Sequence, residues 1–463
     1  MNPIGLHRTN SFALLNLLTW VRRQAWLSRA LSIVPSAWRR RVSAGLKTSA
    51  YKGTAFLRSD RWVIQQASGA EVHRFAPARV SKAWHGGVTV HAFAKGQFGL
   101  GENARLHTRA LMSVGYPVAL RDIALGVPHS QNDDSLDAYI GSSAPYPVDL
   151  VFANPDHFSE IMQGIRRSIG GDRYVIGCWF WELEKFPEAW LQALDDVDEV
   201  MVASDFVEQA VRSATHKPVF KVPVPLGDVN DSGLERADFG LDPDATIFLC
   251  TFDFHSSLAR KNPLGTVEAF QRAFPDRCEK VCLLLKSSNG HSYPERFREL
   301  MASIKGDSRI IVRDDIIDRQ HLHALQRCCD AYVSLHRSEG FGLGLAESMR
   351  LGKPVIGTRY SGNLEFMTDD NSYLVNFRMA PVPPGAYIHP ENQYWAEPDL
   401  DHAAALMRSV VAAPAEAKAK GSKAAEDVRR QLSVEACVTA MTARLDNIYR
   451  RRPGAPFTTS GNS

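Results

Sequence analysis

The first 50 residues lack aspartate and glutamate, and they also lack an apolar run long enough to cross a membrane. The run from Phe12 to Trp20 is shorter than the ~20 residues that a spanning helix needs. Arg22 and Arg23 interrupt it, and most positive charges follow it, whereas those of a cleavable signal peptide precede the apolar run. The sequence therefore predicts neither a spanning helix nor a cleavable signal in this segment.

What this segment does contain is positive charge, and we call residues 1–50 the basic extension. The excess of positive charge in the basic extension is larger than the net charge of +3 of the whole chain. With leucine, tryptophan and phenylalanine between the charges, it predicts an amphipathic helix on an anionic membrane surface, in a protein that is cytoplasmic and peripheral to the inner face. A solvated extension and an organellar transit peptide are the alternatives. The basic residues are Arg8, Arg22, Arg23, Arg29, Arg39, Arg40, Arg41 and Lys47.

Cysteine is scarce, odd in number and scattered through apolar runs, which predicts reduced core residues in a reducing compartment. Cys278 and Cys282 flank three residues, but no second Cys or His pair follows at the spacing of a zinc site. The small net charge also gives no concentrated basic face, so no nucleic-acid partner is predicted. The cysteines are Cys178, Cys250, Cys278, Cys282, Cys328, Cys329 and Cys437.

Short apolar strands alternate with helical stretches along most of the chain, as is typical of parallel sheets covered by helices. A length of 463 residues exceeds what one core serves, so two Rossmann-like domains are predicted, with the active site in the cleft between them. The predicted α/β divisions are the basic extension, an acceptor domain over 85–226, a donor-binding domain over 227–398, C-terminal helices over 399–450 that pack back toward the first domain, and a disordered tail over 451–463.

The segment from Glu339 to Glu347 carries the most specific chemistry. It follows a predicted strand and opens a predicted helix, with Gly342, Leu343 and Gly344 between the two glutamates. Glycines let backbone N–H groups approach an anion, and a helix N-terminus favours negative charge. The pattern therefore predicts a diphosphate site, with Glu347 within reach of nearby hydroxyls. A tight turn with exposed glutamates is the alternative interpretation.

With these residues the chain resembles the retaining, GT-B-fold glycosyltransferases of family 4, whose signature is two glutamates separated by seven residues. The resemblance extends from Val88 to about Tyr449. It implies that Glu347 binds the donor ribose, that Glu339 lies near the donor sugar, and that backbone amides of Leu343 and Gly344 contact the phosphates. The donor base is then expected near Arg313, largely against backbone groups.

Arg260 and Lys261 follow another predicted strand and are expected at the mouth of the cleft. Two adjacent cations can stabilise the charge of a departing nucleoside diphosphate in place of a metal ion. Lys261 matches a lysine of the family pattern, whereas the upstream arginine position falls near His255. Arg260 is therefore our choice for the second cation.

The N-terminal half contributes a glycine-rich loop that includes Gly99 and Gly101 and matches a family loop near the diphosphate. Family members often have a histidine in a loop near the reacting sugar, and His157 is the candidate here. The stretch from Trp179 to Glu184 would line an acceptor-sugar pocket, since sugars stack on aromatic faces, or would belong to the core.

No metal and no cofactor are predicted. Asp-x-Asp, the cation motif of metal-dependent GT-A transferases, begins at Asp196, Asp242 and Asp399, but these pairs lie in acid-rich helices or loops. The predicted reaction is retaining transfer of a hexose, mannose or glucose among the candidates, from a UDP- or GDP-sugar to a saccharide or lipid-linked acceptor. The alternatives are a non-catalytic sugar-nucleotide binder and an NAD-dependent oxidoreductase, for which Gly99-x-Gly101-x-x-Ala104 and Asp122 fit a dinucleotide pattern.

Overall fold

The structure is a computed structural model and describes residues 76–78, 84–123, 126 and 129–451. The predicted helix of the basic extension and residues 452–463 of the predicted tail lie outside these ranges. Within the described residues, no helix combines the length and the apolar character needed to cross a membrane.

The first half of the described chain forms a six-stranded parallel sheet in the order β2-β1-β3-β4-β5-β6. All side chains of β3 and β5 are buried, as expected for strands covered on both faces by helices. The elements are β1 (Val88–Ala92), α1 (Gly99–Ser113), β2 (Val118–Asp122), β3 (Val148–Phe152), α2 (Pro155–Ile169), β4 (Tyr174–Cys178), β5 (Glu199–Val202), α3 (Asp205–Arg212) and β6 (Val219–Lys221).

The second half forms another six-stranded parallel sheet in the order β12-β11-β10-β7-β8-β9. The sequence placed its four central strands, β7, β8, β10 and β11, to within two residues at each end. The elements are β7 (Thr246–Asp253), α4 (Leu258–Lys261), α5 (Pro263–Ala273), β8 (Val281–Ser288), α6 (Pro294–Ser303), β9 (Ile310–Asp314), α7 (Arg319–Cys328), β10 (Ala331–Ser334), α8 (Leu343–Arg350), β11 (Val355–Thr358) and β12 (Tyr373–Val375).

An antiparallel hairpin follows β12 and was not predicted from the sequence. It consists of β13 (Phe377–Pro381) and β14 (Tyr394–Pro398). Although it follows the second sheet in the chain, its side chains Val382 and Trp395 are buried in the core of the first half. The hairpin therefore crosses from one half of the molecule to the other.

Three helices complete the described chain: α9 (Leu400–Ala412), α10 (Pro414–Gln431) and α11 (Val434–Arg451). The sequence predicted one continuous stretch from Ala415 to Tyr449, but the helix breaks between α10 and α11. The first two helices pack on α5 and α8 of the second half, whereas α11 packs on α1 of the first half. The Tyr449 hydroxyl donates a hydrogen bond to the Gly87 carbonyl (2.6 Å), and Arg444 Nε donates to Glu199 (2.6 Å).

Candidate functional site

The carboxyl ends of the two sheets face each other, and the loops that leave these ends contact one another. The Ser204 hydroxyl, after β5, donates to the carbonyl of Gly340, after β10 (2.6 Å). A Cβ added at Gly340 would lie 2.9 Å from the Trp181 carbonyl oxygen, after β4, so the two backbones touch. The predicted site residues are therefore enclosed between the halves, where α/β folds place ligands.

Arg260 and Lys261 lie together on Glu339, as the sequence predicted for residues of one cleft. Lys261 Nζ donates to Glu339 Oε1, and Arg260 Nη1 lies 3.3 Å from Glu339 Oε2. Arg260 Nη1 also donates to the Ser338 carbonyl (2.8 Å). Both cations thus hold the carboxylate that was expected on the sugar side of the donor.

Arg260 is only 3% exposed and has a second carboxylate partner in the first half of the chain. Its Nη2 lies 3.5 Å from Glu182 Oε1, and the hydroxyl of Tyr387, on the hairpin, donates to Glu182 Oε2. The guanidinium also lies 5.4 Å from the centre of the Tyr387 ring. Burial alone would lower the pKa of Arg260, but Glu182 and Glu339 raise it, so the cation is permanent. Both sheets and the hairpin meet at this residue.

Burial is the largest single influence on the pKa of Glu339 and would raise it, but Lys261 and Arg260 together lower it to about 2. Since this lies below the unfolded value near 4.3, ionised Glu339 stabilises the fold fully at neutral pH. That contribution is lost as the pH falls from about 4.5 toward 2.

We expect the urea midpoint of the wild type to fall over this interval, with Glu339 contributing on the order of 3 kcal/mol. The variant Glu339→Gln should show a flatter decline, because glutamine does not titrate. Glu299→Gln is the control, since Glu299 pairs with Arg296 on an exposed helix surface (3.1 Å). Equal pH slopes for wild type and Glu339→Gln would contradict the assigned pairing.

The glycine-rich turn before α8 has a conformation that the sequence explains. Gly342 has φ +93°, which side chains rarely adopt, and a Cβ at Gly344 would lie 2.6 Å from the Tyr332 hydroxyl. Helix α8 begins at Leu343, so its first N–H groups face the same side as Glu339. These amides can bind an anion.

Glu347 is buried in α8 and contacts a residue that the sequence did not single out, Arg319 at the start of α7. Arg319 Nη2 donates to Glu347 Oε1, and Gln326 Nε2 donates to Glu347 Oε2 (3.3 Å). Arg319 Nε lies 3.5 Å from Glu102 Oε1 of α1, so the ion group joins the halves. Its position as the first helical residue after the Asp318 cap gave no chemical signal that would have identified Arg319.

Glu102 is held by Arg319 from one side and by Arg105 from the other (2.6 Å). Burial would raise its pKa, and these arginines with Arg109 lower it to about 2. Gly99 and Gly101 lie in the first turn of α1 beside Glu102, rather than in a loop as predicted, because the helix begins at Gly99. A Cβ at Gly101 would lie 2.5 Å from the Gly96 carbonyl oxygen.

Two other predicted site residues lie on α2 and β9. His157 is in the first turn of α2, not in a loop, because Pro155 starts the helix; its side chain is 54% exposed and 3.6 Å from Asp156. Arg313 is buried in the edge strand β9, with Nη2 3.5 Å from the Phe239 carbonyl oxygen.

Two aromatic side chains of the stretch after β4 belong to the core. Trp179 and Trp181 are each 1% exposed, which supports the core alternative for these two rings, and Glu182 of this stretch contacts Arg260. His255 lies near the position at which the family pattern has an arginine. Its ring contacts the ring of His129 from the first half and the Tyr293 hydroxyl (3.2 Å). Asp122, the carboxylate of the oxidoreductase alternative, accepts the N–H of Ala94 (2.8 Å).

Residues 250–381 match the profile of the family described as glycosyl transferases group 1, and this segment contains Lys261, Glu339 and Glu347. This segment is similar to that family, and the two-sheet architecture is the GT-B fold. The trehalose synthase of Pyrococcus horikoshii is 28% identical over 166 residues, which are 34% of this chain and 39% of that protein. The chain thus matches about two fifths of the length of that curated relative.

Solved structures share the fold of this chain at low identity. Sucrose-phosphate synthase from Thermosynechococcus elongatus has a TM-score of 0.58 at 17% identity, covering 79% of this chain and 99% of that one. HepE from Anabaena, solved with UDP and glucose, has a TM-score of 0.56 at 13% identity, covering 78% and 100%. At these identities the likeness establishes the two-sheet fold.

Proposed function

We propose that the protein transfers a hexose from a UDP- or GDP-sugar to a hydroxyl of a saccharide or lipid-linked acceptor, with retention of the anomeric configuration. One observation carries this proposal: two cations from α4, the helix after β7, contact Glu339, which directly precedes the glycine-rich turn before α8. The trehalose synthase relative and the UDP-glucose complex of HepE support a nucleotide-sugar donor.

In this reaction the donor diphosphate lies against the N–H groups at Leu343 and Gly344, and Lys261 and Arg260 neutralise the charge that grows on the leaving phosphate. The bond from the anomeric carbon to the phosphate oxygen breaks, and the bond to the acceptor oxygen forms on the same face. The departing phosphate oxygen takes the acceptor proton. Lys261 and Arg260 act on the leaving phosphate where other transferases use a metal ion. The protein thus orients the reactants and stabilises charge.

The ribose is proposed to bind Glu347. Its carboxylate is held by Arg319 and Gln326, so the ribose hydroxyls have to share or replace these contacts. Arg319 retains Glu102 as a partner, and no cation is left alone when the donor enters.

Glu347→Ala is expected to weaken nucleoside-diphosphate binding by about 10- to 100-fold, because a bidentate contact of a buried carboxylate to hydroxyls is lost. Isothermal titration calorimetry with UDP and GDP measures this change. Glu416→Ala, on the exposed face of α10, is the matched control and should bind as the wild type does. Undiminished affinity of folded Glu347→Ala would remove Glu347 from the nucleotide site.

A thermal-shift series with UDP-, GDP- and ADP-sugars tests the donor class, since a ligand that binds the folded state raises the melting temperature. A sugar-nucleotide binder without activity is the second candidate, and it shares every contact described above. Release of nucleoside diphosphate in the presence of acceptor separates the two: the enzyme releases it, whereas the binder does not.

A further inference from the structure

A cavity of about 490 Å³ lies between the two halves, beyond the carboxyl ends of β5 and β11. Asp205, Phe206 and Gln209 line it from the first half, and Tyr360 and Leu364 line it from the second. Pockets at domain interfaces and at the ends of parallel strands are where small molecules bind. The predicted catalytic and donor-binding residues do not line this cavity, whereas Glu184, from the stretch predicted for an acceptor pocket, does.

The cavity nevertheless shares a wall with the reaction centre. Ser361, which lines it, accepts the backbone N–H of Glu339 with its hydroxyl (2.8 Å), and the Gly362 N–H donates to the Glu339 carbonyl (2.8 Å). Glu347 is on α8, which packs on β10 and β11, and neither Glu347 nor Arg319 lines the cavity. The cavity therefore adjoins the loop that carries Glu339.

The lining combines an aromatic surface with carboxylates. Phe206 and Tyr360 form an edge-to-face pair with centroids 5.5 Å apart, and the Tyr360 hydroxyl donates to Glu184 (2.9 Å). Asp205 and Glu365 share one cation, Lys221. The three carboxylates, Glu184, Asp205 and Glu365, outnumber the one lysine, so they repel a ligand that carries a phosphate or carboxylate group. Their oxygens can accept hydrogen bonds from the hydroxyls of a sugar.

We propose that this cavity, the acceptor cavity, binds an uncharged sugar unit of a saccharide acceptor. The inference rests on the proposed transferase function and makes it more specific. It places the acceptor beside the backbone of Glu339. The aromatic side chains can pack against the apolar face of the sugar ring, and the carboxylates can bind the hydroxyls of the sugar. This combination selects neutral sugars over phosphorylated ones.

The test blocks the cavity from its rim. Gln209 is exposed on α3 and lines the cavity, so Gln209→Trp fills the entrance without changing the core. Gln163→Trp makes the same change at an exposed position of α2 and is the control. Glucose, N-acetylglucosamine and maltose serve as neutral probes and glucose 6-phosphate as the anionic probe, all measured by saturation-transfer NMR on the full chain.

We expect at least one neutral probe to bind the wild type and Gln163→Trp, with affinity reduced about tenfold or more in Gln209→Trp. Phe206→Ala should reduce it as well, and glucose 6-phosphate should bind more weakly than glucose. Absence of neutral-sugar binding, unchanged binding in folded Gln209→Trp, or a preference for glucose 6-phosphate would each overturn the proposal.

The transferase proposal is tested separately with the same variants. Nucleoside-diphosphate binding should be equal in Gln209→Trp and in the wild type, because the residues proposed to bind the nucleotide do not line the cavity. If neutral sugars bind the cavity but no nucleotide sugar binds any variant, the transferase function fails while the cavity stands. If the nucleotide binds and transfer in Gln209→Trp equals that in wild type, the cavity assignment alone fails.

Discussion

Lys261→Ala is expected to lower turnover by about two to three orders of magnitude, because removal of one preorganised charge from a closed site has effects of that size. Lys261 Nζ donates a hydrogen bond to Glu339. Together with Arg260, it supplies positive charge next to this carboxylate in the cleft. The rate of nucleoside-diphosphate release at saturating donor measures the change. Donor affinity should change less than turnover, since the charge it stabilises grows in the transition state.

The matched control for this variant is Lys280→Ala. Lys280 is exposed and pairs with Asp244, which is exposed as well (3.1 Å), so its removal should leave turnover and folding unchanged. A folded Lys261→Ala enzyme that works at the wild-type rate would remove Lys261 from the catalytic residues. Loss of activity together with loss of the native circular dichroism spectrum would instead assign Lys261 a structural role.

Arg260→Met should lower the free energy of unfolding by about 3–5 kcal/mol, since it leaves buried carboxylates without their cation. Glu182 and Glu339 both contact this guanidinium, and Tyr387 stacks beside it. Methionine keeps much of the side-chain volume, so the loss reports on charge rather than on a cavity. Urea unfolding at pH 7 measures the difference.

Arg296→Met is the control for that measurement, because the Arg296 pair with Glu299 is exposed and should contribute less than about 1 kcal/mol. Adding Glu182→Gln to Arg260→Met should recover part of the lost stability, since one unpaired charge is then removed. A loss no greater than that of the control would show that Glu182 and Glu339 do not depend on Arg260.

These two predictions concern ion groups that join the halves of the chain. Arg260 links Glu339 to Glu182, and Arg319 links Glu347 to Glu102. Each of the glutamates expected to bind the donor is thus paired with an arginine that also reaches the opposite half. The same arginines therefore hold both of these glutamates and the contact between the halves.

Much of the second sheet was predictable because its central strands are short apolar runs bounded by polar or glycine-rich segments. The strands that were missed, β2 and β12, lie at sheet edges. Edge strands are covered less completely, and β2 ends in Arg121 and Asp122, so its hydrophobic signal is weak. The hairpin was missed because the prolines between its strands, among them Pro383 and Pro390, indicate a loop.

The sequence by itself determined the alternation of strands and helices, the glycine-rich turn before α8, and the closeness of Arg260 and Lys261 to the end of a strand. These features depend on side-chain periodicity and backbone freedom, which act over a few residues. Only the tertiary structure decided that Arg319 holds Glu347, that Tyr387 and Glu182 hold Arg260, that Trp181 is buried, and that His157 lies at the rim. Such partners are separated by tens to hundreds of residues, and the packing of the two halves selects them.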